Sequence, residues 1–294
     1  MRRKGGLAVL IIFLAVIISA MALYLYRAGN QEVKEGEHAP KGEQRDALRK
    51  TPSRNIRGKY GPDSAIPKDR ISQSRKRIAI LIDDIGYDLS PLNELLKIDA
   101  SLTFAILPHY AHSVDAANIL HRAKREILLH LPMEPHTFPD ENPGMGALFL
   151  SMSDRQIKEE VDKDLDAIPH LSGVNNHMGS KFMEDETKLD IVFRQLKKRN
   201  LFFVDSRTTP LSRGPEIARK LGLRFISRKL FIDNDYMTIF RNLTTRIDRE
   251  FDNKSEAVVL IGHPHMKTIQ ALKEAIPVLK ARGIDIVPVS ALVQ

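Results

Sequence analysis

The sequence predicts an α/β fold, a parallel sheet built from strand–helix units and preceded by one transmembrane helix. Three observations predict it. Short apolar runs alternate with helical patterns from residue 77 onward, ionisable residues follow those runs directly, and one uncharged apolar stretch stands apart near the N-terminus. Alternating strands and helices imply parallel pairing, because a parallel crossover consumes about a dozen residues or more, usually as a helix. The pattern fits either a barrel or a doubly wound sheet.

In chain order, residues 7–26 (LAVLIIFLAVIISAMALYLY) carry no charge. At about 1.5 Å per residue, such a helix crosses a hydrocarbon core of roughly 30 Å. The basic MRRKGG before it favours a cytoplasmic N-terminus, and Tyr24 and Tyr26 sit where an interfacial aromatic belt would lie. Ala20-Met21-Ala22 also resembles a cleavage site, so a removed signal peptide is the alternative to a signal anchor over 1–26. Both readings export the rest of the chain. The expectation is a single pass through the inner membrane, with the folded part in the periplasm or extracytoplasmic space. Residues 27–76 hold 13 Lys/Arg and 7 Asp/Glu with few large apolar side chains, and read as a flexible basic linker.

Residues 77–294 form the expected folded domain. They carry 29 Lys/Arg against 30 Asp/Glu, so the formal charge of +8 lies wholly outside them. That removes the case for nucleic-acid binding. With no Cys, disulfides and thiolate metal sites are excluded. Strands are expected at 78–82, 102–107, 127–129, 201–204, 223–226, 257–261 and 284–289, with 172–176 as a further one. Helices are expected near 90–97, 113–123, 153–168, 186–199, 213–220, 236–252 and 267–281. Ser90-Pro91, Ser153-Asp154 and Gly214-Pro215 supply start signals.

Polar residues gather just past the strands. Asp83 and Asp84 follow IAILI, His109 follows LTFAILP, and His130 follows ILL with Glu134 four residues on. Asn175, Asn176 and His177 follow Gly173-Val174, Asp205 follows LFFV, and His263 and His265 follow VVLIG. In parallel α/β folds the C-terminal strand ends form the active-site face. Caps and turns explain one such residue, but six strand ends delivering them together point to a site. Two adjacent carboxylates become tolerable beside a cation. The Asp, His and Glu donors suit a divalent metal, zinc foremost, with manganese, cobalt or nickel as alternatives. One carboxylate can then bind the metal while the other takes a proton from water. Loop 135–152, rich in Pro and Gly, is placed to overhang the cleft.

The stretches IDDIG (82–86), LTFAILP (102–108), EILLHLPMEP (126–135), GVNNHMGS (173–180), FVDSRT (203–208) and IGHPH (261–265), in that order, resemble the divergent polysaccharide deacetylases of the YibQ-like branch. The resemblance implies a distorted (β/α) barrel of about seven strands and metal-dependent hydrolysis of an N-acetyl or related bond on a carbohydrate. It implies Asp83 as general base and Asp84 as metal ligand, with His130 opening the histidine motif. The motif's second histidine is replaced by Glu134, so Glu134 or His177 completes the metal set. The usual arginine of the third motif is absent, and Asn175-Asn176-His177 stands there. His263 or His265 falls where the family's general acid lies, and Asn175, Asn176, Asp205 and Arg207 are left as substrate-binding candidates. The altered motifs also admit a second reading, a catalytically degenerate carbohydrate-binding protein of the cell envelope.

Overall fold

Among the described residues nine segments pair into one parallel sheet: β1 (Arg77–Ile85), β2 (Thr103–Ile106), β3 (Glu126–Met133), β4 (Gly173–Met178), β5 (Phe202–Asp205), β6 (Phe225–Ser227), β7 (Leu230–Phe231), β8 (Ala257–Gly262) and β9 (Asp285–Ile286). The computed structural model describes residues 76–233, 236–252 and 257–294. The expected transmembrane segment 1–26 and the linker up to residue 75 lie outside the described residues. Among the described residues no helix is long and apolar enough to cross a membrane.

Between the strands run α1 (Ser90–Leu96), α2 (Ser113–Arg122), α3 (Asp154–Ala167), α4 (Glu186–Lys198), α5 (Gly214–Leu221), α6 (Tyr236–Arg241), α7 (Ile247–Asp252) and α8 (Met266–Ala281). The expected helix over 236–252 is interrupted by a π-helical turn at Asn242–Arg246. Ser153 caps α3 in a reciprocal box with Gln156, as its position suggests.

The strand order is β6-β5-β4-β3-β2-β1-β8-β7, with β9 joining β1 off that path. β6 and β7 end this order, yet only Arg228 and Lys229 separate them in sequence. A link of two residues reaches about 11 Å when extended. The sheet therefore curls until its two edges nearly meet. The Arg228 amide donates to the Asp205 carbonyl on β5 (2.9 Å) and the Lys229 amide to the Val259 carbonyl on β8 (2.9 Å), bridging the seam. The expected barrel of about seven strands is thus a curled parallel half-barrel of nine, two of them only two residues long. β7 escapes a periodicity reading because two residues are too few to show a period.

Side-chain alternation along each strand divides the apolar residues between two cores. Ile78, Ile80 and Ile82 of β1 join Ile127, Leu129 and Leu131 of β3 in the layer beneath the helices. Ala79, Leu81, Ala105, Leu128, Phe202, Val204, Val259 and Ile261 fill the interior of the curl, with Val289 and Leu292 from the C-terminal segment. Gly173 belongs to the interior face: a Cβ there would stand 2.6 Å from the Phe202 ring. The interior phase of the alternation, carried on to the strand ends, selects the residues of the site.

Candidate active site

Residue 83 continues the inward phase of Ala79 and Leu81, so Asp83 enters the cleft by simple alternation. Asp84 should then point outward. It does not, because the β1–β2 register shifts between Ile82 and Ile85 and Asp84 adopts a left-handed φ of 57°. A bulge of this kind re-aims a side chain at the cost of local strain. It turns both acids of the pair toward the same neighbours.

On β3, His130 continues the phase of Leu128. β4 is in register with β3, so Asn175 faces His130 and His177 faces Pro132. Three donor atoms converge. Asp84 Oδ1 lies 3.2 Å from His130 Nε2 and 3.1 Å from His177 Nδ1, and the two ring nitrogens are 3.1 Å apart. Asp84 Oδ1 is buried and receives no hydrogen bond. Donors around a zinc-sized ion at about 2.1 Å stand at mutual distances close to these. The orphaned oxygen and two facing imidazole nitrogens are therefore a group that fits a divalent cation.

Around them, Asn175 Oδ1 accepts from His130 Nδ1 (2.9 Å), which presents His130 Nε2 to the cluster as the free nitrogen. Asn175 Nδ2 donates to Asp83 Oδ1 (2.9 Å) and to Ser206 Oγ (3.2 Å). Asp83 Oδ2 is 3.7 Å from His130 Nε2. From β8, His263 continues the phase of Val259 and Ile261 and sets Nε2 3.3 Å from Asp84 Oδ2. Its Nδ1 bonds Asp233, whose oxygens also accept from the His263 amide at 2.9 and 2.8 Å and from Thr268 Oγ1 at 3.1 Å.

These environments push the two acids apart. Burial raises the Asp83 carboxyl above the ordinary range, partly countered by His130, His263 and the Asn175 amide. Burial opposes ionisation of Asp84 too, but the imidazoles of His130 and His177 outweigh it and hold the group well below the usual carboxylate range. His263 is pushed up to about 9: burial works against the charged ring, while the Asp233 bond and the Asp84 and Asp83 charges favour it.

Other expected site residues sit apart from this cluster. Glu134 is outside the three-donor group: its Oε1 accepts from Lys181 Nζ (2.6 Å) and its Oε2 from the Leu150 amide (2.6 Å). It ties loop 135–152 to the segment after β4. His265 is exposed at the N-cap of α8, and its ring centroid is 6.0 Å from that of His263. Asn176 follows the outward phase, accepting from the Ser206 amide (2.9 Å) and donating to the Met178 carbonyl (2.8 Å). Asp205 is also outward, accepting from the Arg207 amide (2.7 Å) and Ser212 Oγ (2.7 Å). Arg207 is exposed, with φ 49°. His109 Nε2 lies 2.7 Å from Asp164 Oδ1, away from the cleft residues.

Asp233 and Ser206 were not singled out by the sequence, although Asp233 closes the run LFID (230–233) as Asp83 closes ILID. The run is simply short.

A curled parallel sheet whose C-terminal rim gathers two imidazoles and a carboxylate around one point defines an α/β protein with a candidate metal-dependent site. The chain belongs to the divergent polysaccharide deacetylase family, which residues 80–293 match. It is 29% identical over 202 residues to the uncharacterized protein YibQ of Escherichia coli K12, covering 68% of this chain and 62% of that protein. An uncharacterized protein of Haemophilus influenzae is 30% identical over 204 residues, 69% of this chain and 71% of the other. The match thus spans less than two thirds of the E. coli relative. Among solved structures, an uncharacterized protein from Agrobacterium tumefaciens C58 shares the fold, with a TM-score of 0.70 at 23% identity, covering 74% of this chain and 89% of the other.

Proposed function

We propose that this chain is a metal-dependent deacetylase of N-acetylated cell-envelope carbohydrate, held outside the cytoplasm by residues 1–26. The observation that carries the reading is the triangle of Asp84 Oδ1, His130 Nε2 and His177 Nδ1, all within 3.2 Å of one another, with the carboxylate oxygen buried and unbonded. Those residues would hold a divalent cation, zinc foremost; the cation would acidify a water and polarise the amide carbonyl. Asp83 takes the water proton: burial raises its carboxyl above the ordinary carboxylate range, which makes it a stronger proton acceptor. Asn175 fixes the Asp83 carboxylate where the family's arginine is missing. His263, oriented and kept protonated by Asp233, faces the cleft from β8 and delivers a proton to the departing amine. The uncharged run 7–26 and its basic flank support export.

The absent arginine favours a second reading, carbohydrate binding without turnover. Acetate release from N-acetylglucosamine oligomers and peptidoglycan fragments by the zinc-loaded full-length chain separates the two. Turnover that Asp83→Asn lowers by about 10²–10⁴-fold, the usual general-base contribution, supports the first. Binding of those oligomers without acetate release supports the second.

A further inference from the structure

We propose that the seam of the curled sheet is an anion-binding subsite, in which Arg207, Arg228 and Lys229 take a carboxylate or phosphate carried by the glycan. The inference rests on the proposed function for the sugar, but not for its hydrolysis.

The seam exists because β6 passes to β7 in two residues, and both of those residues are cations. Their backbones are fixed from both sides, Arg228 to β5 and Lys229 to β8. Together with Arg207, Thr209 and Pro210 they line a cavity of about 320 Å³ just past the C-terminal ends of β5 and β6.

Residues 77–294 carry one more acid than base, so no general excess of positive charge explains the cluster. Yet among the described residues none of the three forms an ion pair. Arg228 is half-buried and holds its guanidinium over the Phe231 ring at 5.2 Å. It donates through Nε to the Ser206 carbonyl (2.7 Å) and through one terminal nitrogen to the Arg207 carbonyl (3.1 Å), both neutral acceptors. Asp205, whose charge both arginines feel, spends its oxygens on the Arg207 amide and Ser212 Oγ. Three positive groups held together around a cavity repel one another, and an anion relieves that repulsion.

The subsite is coupled to the candidate active site through one residue. Ser206 accepts Arg228 at its carbonyl and Asn175 at its hydroxyl, and Asn175 holds Asp83. A sugar whose N-acetyl group reaches the Asp84 cluster would place a charged substituent of the same or a neighbouring ring on this side of the rim.

The test compares binding to the full-length chain by calorimetry, which needs no turnover. The probes are a neutral N-acetylglucosamine disaccharide, the disaccharide in which one sugar is N-acetylmuramic acid, and the neutral disaccharide phosphorylated on a hydroxyl. At least one anionic probe should bind about tenfold more tightly than the neutral one, the gain of a hydrogen bond to a charged group. The preference should shrink as salt rises. The stronger of the two identifies carboxylate or phosphate as the substituent. Arg207→Gln combined with Lys229→Gln, both exposed, should remove the preference of the anionic probes over the neutral one. Arg228→Lys should reduce it while keeping the charge, because the planar fork is lost. Equal affinity for all three probes, no binding of any, or a preference that survives the double variant would overturn the subsite. Selective binding without acetate release would leave the subsite standing and sink the hydrolytic reading.

Discussion

At the scale of single residues, the weight falls on which side chain completes the triangle with Asp84 and His130. The sequence left Glu134 and His177 open. In the structure His177 Nδ1 is 3.1 Å from Asp84 Oδ1, whereas both Glu134 oxygens are taken by Lys181 and the Leu150 amide. His177→Ala should weaken zinc binding by more than about 100-fold, the upper end of what outer partners of a metal site contribute. Glu134→Gln should leave zinc affinity unchanged and lower the melting temperature, because a buried acceptor of Lys181 is weakened. Competition titration with a chromogenic chelator reads both, and the reverse pattern would give the third place to Glu134. Asp233 is the other decisive residue. It positions His263 by accepting from its ring and from its amide. Asp233→Asn should lower kcat for acetate release by about tenfold or more with zinc content intact; an unchanged kcat would mean that His263 needs no such support.

At the scale of elements, strand parity decides who enters the cleft. On β4 the sequence presents Asn175, Asn176 and His177 as equals, but alternation sends the first and third inward and the second toward the β5 loop. Parity also turns Asp205 away and brings His263 in. Which phase faces the cleft was not legible in the sequence, since Ile127, Leu129, Val258 and Leu260 on the outward phase are as apolar as Leu128, Val259 and Ile261 on the inward one. The bulge at Asp84 was not legible, because nothing in the letters Asp-Asp separates a bulged strand end from a regular one. Helix α3 carries its own test. Asp164 is fully buried, its Oδ2 has no partner, and burial pushes its carboxyl up to about 9 from an ordinary value of 3.8. The folded chain keeps a proton there that the unfolded chain releases, so this group lowers stability progressively as pH rises between those values. Asp164→Asn keeps a donor for His109 Nε2 and needs no proton. It should raise stability at pH 8 by roughly 1–3 kcal/mol, less at pH 5. Thermal melts at the two pH values check this, and a gain independent of pH would contradict it.

At the scale of the whole molecule, the sequence identified parallel strand–helix alternation and the rim on which polar residues collect, and the family match from 80 to 293 agrees with that reach. The curl itself was hidden, because it is set by a two-residue strand, β7, and by the step through Arg228 and Lys229 that draws the edges together. The proposed anchor predicts that a C-terminal fusion to a reporter active only after export gives signal; a signal confined to a cytoplasmic reporter would reverse the topology. The proposed function as a whole stands on the metal. Elemental analysis of the full-length chain, purified without chelator beside its Asp84→Ala variant, tests that most directly. About one equivalent of a divalent metal is expected in the parent and almost none in the variant; a parent free of metal after loading with zinc, or equal content in both, would contradict a metal site at Asp84.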